Sequence, residues 1–239
     1  MFQTIFKRYE KKYLLNEKQY FAVLETLKNN ALPDKYSKST VCSIYYDTPD
    51  KRLIRASIEK PVYKEKLRLR SYGVPSNSTE CFLELKKKYK GIVYKRRIVT
   101  PYSDVISYMN GDKNALEPSQ IKNEIDYFKN YYGALSPSVD IFYDRLAFYD
   151  KEDPNVRLTF DSGILYRENE HDLKNGIYGE KILPDGMYLM EIKTAGAMPL
   201  WTAEMLTRLK IYPTSFSKYG TAYQNIINKN TQSGGNFCA

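Results

Sequence analysis

The chain has 239 residues and a net charge of +9, and its length allows one sizeable domain or two small ones. We expect one domain over residues 1–228 and a disordered polar tail over residues 229–239. No segment approaches the ~20 apolar residues that span a bilayer, and the start of the chain lacks the apolar core of a signal peptide. The three cysteines, Cys42, Cys81 and Cys238, have no zinc-site spacing and are odd in number. These features predict a cytoplasmic protein in a reducing compartment.

The positive charge is unevenly distributed along the chain. Residues 1–100 contain 23 Lys and Arg against 10 Asp and Glu, whereas residues 101–239 contain 14 against 18. An excess confined to the first hundred residues indicates an anionic partner, which is a nucleic acid, a membrane surface or a small phosphorylated molecule. A basic surface that serves only solubility is an equally open alternative at this point.

Short segments in which Tyr, Val, Ile and Phe alternate with polar residues recur along the chain and are typical of strands. They lie at about 6–15, 40–47, 62–72, 80–89, 92–100, 139–149, 156–161, 164–168 and 187–194. Gly91 and the corner Asp161-Ser162-Gly163 predict tight hairpin turns. The strands on either side of each turn are therefore expected to be antiparallel.

Four helices are predicted in the remaining segments. The first covers residues 17–29, with Asn16 as its N-cap and Gln19 three residues further on. The second covers residues 119–132, with Pro118 ahead of it in the place of a first-turn proline and Gly133 as its C-cap. Two more are expected over residues 199–210 and 217–228. The pattern predicts an α+β fold in which eight or nine mostly antiparallel strands are enough to close a barrel, with the helices packed outside it.

Charged residues fall on one face of each predicted strand, because side chains two residues apart project to the same side. Within residues 64–70 the cations alternate with apolar residues: Lys64, Lys66, Arg68 and Arg70 against Leu67 and Leu69. Six further strands show the same segregation, through Arg8, Glu10 and Lys12; Glu84, Lys86 and Lys88; Lys95 and Arg97; Arg145; Arg157 and Asp161; Glu191 and Lys193. An open sheet with one wet face is the competing explanation of this parity.

The sign of these charges favours a bound anion. Cations heavily outnumber carboxylates on the charged face, whereas a merely solvated face mixes the two signs. Two unit charges ~5 Å apart at an effective dielectric near 20 repel by roughly 3 kcal/mol, so an uncompensated array opposes folding and a polyanion relieves it. Arg offers planar paired donors for phosphate and Lys a compact charge. The sequence therefore predicts an enclosed channel that binds several linked phosphates.

Four carboxylates lie on the charged face: Glu10, Glu84, Asp161 and Glu191. Each is interpretable as an ion-pair partner of the cations, and at least one as a metal ligand instead. Glu191 is the first candidate, since Mg²⁺ or Mn²⁺ bridges phosphate oxygens and takes carboxylate oxygen and water. The single histidine, His171, lies in a polar stretch and is expected at the surface, which excludes a Ser-His-Asp triad and a histidine metal site. No P-loop or dinucleotide-binding glycine motif occurs, so side chains must hold the phosphates.

A set of short motifs, each weak alone, recurs here in a specific order. They are Arg8-Tyr9-Glu10-Lys11-Lys12-Tyr13, Tyr45-Tyr46-Asp47-Thr48-Pro49, Lys66-Leu67-Arg68-Leu69-Arg70-Ser71-Tyr72-Gly73, Glu84-Leu85-Lys86, Glu191-Ile192-Lys193 and Phe216-Ser217-Lys218-Tyr219. Over residues 6–228 the chain resembles the VTC domain, the polyphosphate polymerase module of vacuolar transporter chaperone complexes, which also occurs in bacterial proteins. That family belongs to the triphosphate tunnel metalloenzymes, also called CYTH-like proteins, whose antiparallel barrel encloses a basic tunnel.

The resemblance implies that the protein transfers the γ-phosphoryl group of ATP to a growing polyphosphate chain, with Mn²⁺ or Mg²⁺ and no covalent intermediate. It implies that phosphates are bound and positioned by Arg68, Arg70, Lys86, Arg145 and Arg157, with further substrate contacts from Lys12, Lys66, Lys95, Arg97, Ser217 and Lys218. It implies that Glu191 carries the metal. Ser217 is equally interpretable as a plain helix cap. The implied partners are ATP, polyphosphate and a separately encoded membrane protein, and no nucleic acid.

The sequence also departs from the family pattern. The opening Glu-x-Glu-x-Lys of the tunnel superfamily is present only as Glu10-Lys11-Lys12, which argues against a hydrolase with several metal carboxylates. Ser57 and Ser215 stand where eukaryotic polymerases have Arg and Lys, and Arg55, Lys64 or Lys66 is the expected substitute for the missing Arg. A tunnel triphosphatase, a non-catalytic binding module for polyphosphate or inositol phosphates, and a nucleic-acid-binding protein therefore stay open as alternatives.

Overall fold

The computed structural model describes residues 9–59, 61–90 and 92–234. The strands in this part of the chain are β1 (Tyr9–Asn16), β2 (Ala31–Asp47), β3 (Tyr63–Tyr72), β4 (Glu80–Tyr89), β5 (Ile92–Pro101), β6 (Ser136–Asp150), β7 (Arg157–Arg167), β8 (Glu180–Lys181) and β9 (Met187–Thr194). The α-helices are α1 (Glu17–Asn30), α2 (Arg52–Ile58), α3 (Tyr102–Met109), α4 (Gln120–Tyr132), α5 (Leu200–Arg208) and α6 (Lys218–Gly234), and Leu173–Asn175 forms a single 3-10 turn. Among the residues described, no helix has both the length and the apolar composition needed to cross a bilayer.

The strands form an antiparallel sheet with the neighbour order β1-β9-β7-β6-β2-β3-β4-β5, and β8 pairs with β7. This confirms the predicted α+β class with a mainly antiparallel sheet and helices around it. By packing, the chain divides into two compact units, one of residues 9–40, 143–164 and 183–216, and one of residues 41–142, 165–182 and 217–234. The expectation of a single domain over residues 1–228 stays a prediction.

In the first unit, β1, β7 and β9 pair through their backbones, and α1 and α5 cover their apolar side. Leu15, Leu158 and Ile192 are at most 1% exposed and lie in one core with Val23 of α1 and Met205 of α5. Asn16 and Gln19 form the predicted capping box, in which each side chain accepts a hydrogen bond from the other residue's backbone N–H. The cap fixes where β1 ends and α1 begins.

In the second unit, β3 and β4 present Leu67, Leu69, Leu83 and Leu85 to a core that α3 and α4 complete. Ser119 caps α4 by accepting from Lys122 N, and Gly133 ends the helix with a φ of +75°. Pro118 therefore precedes the cap instead of occupying the first helical turn. The alternation of apolar and charged residues along these strands is thus explained by one buried face.

Several elements differ from the sequence-based expectations. No hairpin forms at Asp161-Ser162-Gly163, because β7 continues through these residues to Arg167. Its residues up to Asp161 pair with β9, whereas Leu165 and Tyr166 pair with β8. Gly163 lies between the two pairings with a φ of +55°, so the glycine marks a change of partner and not a chain reversal.

Strand β2 begins nine residues earlier than predicted. Residues 31–39 were not predicted as strand because they carry Pro, Asp, Lys and Ser without an alternating apolar pattern. The short helices α2 and α3 and the strand β8 had no periodic signal and were not predicted. Helix α6 continues to Gly234, beyond the end expected near Asn228. The predicted turn at Gly91, the position of Arg8 on the charged face and Cys238 lie outside the described residues.

Candidate functional site

The cations of β3, β4 and β5 stand side by side across the sheet. Lys66 is paired with Lys86, and Lys86 is paired in turn with Lys95. Two residues further along β3, on the same face, Arg68 is paired with Glu84, and Glu84 with Arg97. Because directly paired residues project to the same face, these side chains share one surface, opposite the buried leucines. We refer to them as the β3–β5 array, which comprises Lys66, Arg68, Arg70, Lys86, Lys95 and Arg97.

Glu84 is the carboxylate at the centre of this array and is 2% exposed. Its Oε2 accepts from Arg68 Nε at 2.7 Å and lies 3.9 Å from Arg70 Nε, and its Oε1 contacts the Lys95 ammonium. Burial alone raises a carboxyl pKa, but the three cations outweigh it and lower the pKa of Glu84 to about 2. Glu84 is therefore ionised throughout the physiological range, and it compensates only part of the positive charge around it.

Lys95 carries a weakened positive charge. Burial and the neighbouring arginines lower its pKa to about 8, against the opposing effect of Glu84. A group with this pKa loses part of its charge just above neutral pH, so the charge of the array depends on pH.

The start of α6 adds polar groups in the second unit. The Ser217 hydroxyl accepts from Gly220 N at 3.2 Å, which makes Ser217 the N-cap of α6. Lys66 Nζ lies 3.4 Å from the same hydroxyl, and Lys218 is the first residue of the helix. The cap interpretation of Ser217 is confirmed, and its contact with phosphate stays a prediction.

A second group of charges lies in the first unit, on β1 and β9. Lys12 is the cross-strand partner of Glu191, and Glu10 is the partner of Lys193. Lys12 Nζ lies 3.6 Å from a carboxylate oxygen of Glu10 and 3.6 Å from one of Glu191, and it donates to Phe216 O at 3.0 Å. Lys193 Nζ contacts the other Glu191 oxygen at 3.0 Å. We refer to Glu10, Lys12, Glu191 and Lys193 as the β1–β9 cluster.

Arg145 is held rigidly beside this cluster. Its Nε and Nη2 donate to both carboxylate oxygens of Asp161, at 2.6 and 2.8 Å, and Nη2 lies 4.0 Å from Glu191. Asp161 is fully buried. Although burial alone lowers the pKa of an arginine, Tyr143, Asp161 and Glu191 raise the pKa of Arg145 above its ordinary value. The paired geometry fixes the guanidinium plane, as a group that positions phosphate requires.

Arg157 has a different environment from Arg145. Its side chain is 45% exposed, forms an ion pair with Asp34, and lines a shallow open cleft with Tyr149 and Pro154. Its register partner is Lys193, so it shares the face of the β1–β9 cluster at the start of β7. The sequence placed Arg157 on the correct face but did not predict Asp34 as its partner.

The residues of the β1–β9 cluster fit a divalent metal only in part. The carboxylates of Glu10 and Glu191 both lie next to the Lys12 ammonium. Hard divalent ions favour carboxylate oxygens of this kind. Across the described residues, no three Asp, Glu, His or Cys side chains gather as a complete metal site. A Mg²⁺ or Mn²⁺ ion bound here therefore needs phosphate oxygens and water as its other ligands.

The position of His171 differs from the sequence-based expectation, and the surroundings of Ser57 identify the cation nearest to it. His171 does not lie on the open surface: its side chain is 18% exposed, and Nδ1 lies 2.9 Å from Oδ1 of the buried Asp140. Ser57 is buried in α2, and Lys64 Nζ donates to its carbonyl oxygen at 3.0 Å. Of the three candidate substitutes, Lys64 is the cation next to Ser57, whereas Arg55 is exposed and bonded to Asp50.

The structure thus assigns the predicted site residues to two groups. One is the β3–β5 array with Ser217 and Lys218, and the other is the β1–β9 cluster with Arg145 and Arg157. Within each group the predicted parity is confirmed by the register. The enclosure of all these cations in one channel stays a prediction. Lys193 had been identified by parity only, and the structure places its ammonium directly against Glu191.

Solved structures with the same fold include two that match most of this chain. The chain is similar to a candidate adenylate cyclase from Bacillus halodurans, with a TM-score of 0.56 and 13% identity over 90% of this chain and 96% of that one. It is also similar to a Hippeastrum protein described as a candidate adenylyl cyclase with a dominant triphosphatase activity, with a TM-score of 0.51 and 14% identity over 90% and 95% of the two chains. Comparison with curated proteins gave no significant sequence match. These likenesses define the fold.

The family is defined by sequence. The VTC domain family matches residues 7–227, which is nearly the whole chain. This protein belongs to the VTC domain family, as its ordered set of short motifs predicted.

Proposed function

We propose that this protein is a metal-dependent polyphosphate polymerase. In the reaction, a terminal oxygen of the polyphosphate acceptor forms a new bond to the γ-phosphorus of ATP, the bond between that phosphorus and the β,γ-bridging oxygen breaks, and ADP leaves. The observation that carries the proposal is a row of three lysines, Lys66, Lys86 and Lys95, which are paired across three neighbouring strands in a chain of the VTC family. Adjacent lysines are unfavourable in an empty sheet and favourable around linked phosphates.

The roles follow from the chemistry of phosphoryl transfer, which needs positioning and charge neutralisation more than covalent help. Arg68, Arg70 and Lys86 are proposed to bind non-bridging phosphate oxygens, and Arg145 to orient a further phosphate through its fixed guanidinium plane. Glu191, with Glu10 beside it, is proposed to hold Mg²⁺ or Mn²⁺. The metal neutralises charge on the phosphate oxygens when bound. The need for ATP favours the cytoplasm as the site of action.

The test is incubation of the purified protein with ATP, Mn²⁺ and a short polyphosphate primer. ADP and a long anionic polymer on a gel are expected. The neighbours Lys86 and Lys87 offer a matched pair of variants, because Lys86 faces the array and Lys87 faces the other way, 3.5 Å from Glu65. Lys86→Ala should lower turnover at least about tenfold, as for a lost charge-assisted phosphate contact, and Lys87→Ala should leave it nearly unchanged.

A tunnel triphosphatase is the second candidate, favoured by the triphosphatase activity described for the Hippeastrum relative in fold. In that case water replaces the polyphosphate acceptor, and free phosphate is the only product. Against it, Asp161 is fully engaged by Arg145, so few carboxylates are left for metals.

A non-catalytic polyphosphate-binding module is the third candidate, and the departure at Ser57 and Ser215 favours it. It predicts tight binding of tripolyphosphate with no turnover at any metal concentration. Nucleic-acid binding would show as RNA or DNA binding that short polyphosphate fails to displace.

A further inference from the structure

Strand β2 presents hydroxyl groups to the same face as the β3–β5 array. Ser43 is the cross-strand partner of Arg70, and Tyr45 is the partner of Arg68. Paired residues project to one side, so both side chains point to the surface on which the arginines lie. Ser43 is 1% exposed and Tyr45 is 9% exposed. β2 therefore adds two buried, uncharged hydroxyls to the face that carries these arginines.

Both hydroxyls retain an unused capacity to donate a hydrogen bond. The Tyr45 hydroxyl accepts from Arg68 Nη1 at 3.2 Å, which leaves its own proton to give. Among the described residues, nothing accepts that proton, and Ser43 Oγ has no hydrogen-bond partner. Buried polar groups are nearly always paired in native proteins. Two such donors beside two arginines indicate a missing acceptor, and an anion with several oxygens supplies it.

The ring of Tyr45 is held in place independently of any ligand. It stacks on Tyr219 of α6, with ring centroids 4.7 Å apart and an interplanar angle of 26°. The Tyr219 hydroxyl donates to Asp47 Oδ2 at 2.7 Å and lies 2.9 Å from Ser138 Oγ. The Tyr219 hydroxyl is thus used by buried partners, whereas the hydroxyl of Tyr45 lies against Arg68.

We propose that the hydroxyls of Tyr45 and Ser43 bind phosphate oxygens of a linear triphosphate or polyphosphate chain that Arg68 and Arg70 hold, each donating its proton to the anion. This inference rests on the proposed function, because it assumes that the β3–β5 array binds phosphate. It extends the site from cations to neutral donors and makes Tyr45 a substrate-binding residue.

The charges around Tyr45 make this contact sensitive to pH. Lys66, Arg68 and Arg70 face it from β3, Tyr219 from α6, and Glu84 and Lys95 lie behind Arg68. Burial alone raises the pKa of Tyr45, but Arg68, Lys66 and Arg70 outweigh it and lower the pKa to about 8. A phenol donates only when protonated. Raising the pH through about 8 therefore removes the donor, creates a repelling phenolate and weakens binding, and a bound anion raises the pKa of Tyr45 in return.

The test is calorimetric binding of inorganic tripolyphosphate, which needs no turnover, to the full chain and three variants. At pH 7, Tyr45→Phe should bind about tenfold more weakly, as for a lost hydrogen bond to a charged group, and Ser43→Ala should show a smaller loss in the same direction. Phe keeps the stacking on Tyr219, so the fold is preserved. Tyr46→Phe is the matched control, since Tyr46 is the next residue, is 2% exposed and pairs with Leu67 on the opposite face.

Measurements at several pH values distinguish the loss of the Tyr45 hydrogen-bond donor from a change in side-chain packing. Between pH 7 and pH 9 the wild-type protein should lose about tenfold more affinity than Tyr45→Phe, because only about a tenth of a group with a pKa near 8 is protonated at pH 9. Lys95 also loses charge over this pH range, but it does so in both proteins, so its effect on affinity cancels in the comparison. Tyrosinate absorbance should show a phenol titrating near pH 8 that is absent from Tyr45→Phe and moves upward with tripolyphosphate.

Three results would overturn the inference. Equal affinities of wild type and Tyr45→Phe at both pH values would remove Tyr45 from the site while leaving the proposed function intact. An equal loss in Tyr46→Phe would assign the effect to packing. A wild-type protein that does not bind tripolyphosphate at all would refute the proposed function itself, and the inference with it.

Discussion

Glu84→Gln removes the buried carboxylate on which Arg68, Arg70 and Lys95 converge and leaves its shape almost unchanged. The pKa of Glu84 is lowered from an ordinary 4.5 to about 2, and at 1.36 kcal/mol per pKa unit this corresponds to about 3 kcal/mol of favourable interaction with the folded state. The value agrees with the ~3–5 kcal/mol lost when a buried ion pair loses one partner. We expect Glu84→Gln to lower the free energy of unfolding by about 3 kcal/mol at neutral pH.

Urea denaturation with and without tripolyphosphate measures this effect. The anion should restore part of the stability lost in the variant, because it supplies the negative charge that Gln does not. Since the pKa of Glu84 is lowered by folding, its contribution is complete above pH ~4.5 and is lost as the pH falls towards 2, a loss that the variant should not show. Glu80→Gln, at the exposed start of the same strand, is the control. A Glu84→Gln protein as stable as wild type would refute the assignment of Glu84 as the counter-charge of the array.

Three further predictions concern the metal, a fixed arginine and pH. Glu191→Gln should raise the Mn²⁺ or Mg²⁺ concentration needed for half-maximal turnover at least about tenfold, as for a lost carboxylate ligand, and an unchanged metal titration would exclude Glu191 as a ligand. Arg145→Lys should lower turnover about tenfold or more, because an ammonium cannot make the paired contact with Asp161, and kinetics on protein checked for folding by circular dichroism will measure it. Lys95→Arg, which keeps its charge at high pH, should bind tripolyphosphate more tightly than wild type at pH 9 and about equally at pH 7; equal affinities at pH 9 would show that Lys95 stays charged there.

The sheet and the charged face were predictable because the strands β3, β4 and β9 each present one apolar face to a hydrophobic core. In such strands the period of two that sorts Leu67 and Leu69 from Arg68 and Arg70 is a direct consequence of backbone geometry. The capping box at Asn16 was predictable for the same reason, since its signal lies within four residues. Within each unit, parity therefore identified the cation rows correctly.

Features that depend on distant partners were not predictable. The N-cap residue of helix α2, Lys51, makes no side-chain cap hydrogen bond, and the backbone N–H groups of Leu53 and Ile54 donate instead to the carboxylate of Asp47, six and seven residues earlier. The partner of Arg157 is Asp34, 123 residues away, and that of His171 is Asp140. Ser43 and Tyr45 were not predicted as site residues, because uncharged hydroxyls carry no parity signal of their own.

The Asp47 carboxylate has a consequence for the order of folding. Its Oδ2 accepts from the Tyr219 hydroxyl as well as from the backbone N–H of Ile54, so one buried side chain connects the end of β2 to both α2 and α6. During synthesis on the ribosome, about 170 residues separate Asp47 from this last donor, and the second unit as a whole is drawn from three distant stretches of chain. The second unit therefore cannot complete its packing until residues 217–234 have been synthesised, although β2 and the β3–β5 array are made earlier, and nascent chains arrested before that point should be sensitive to proteases.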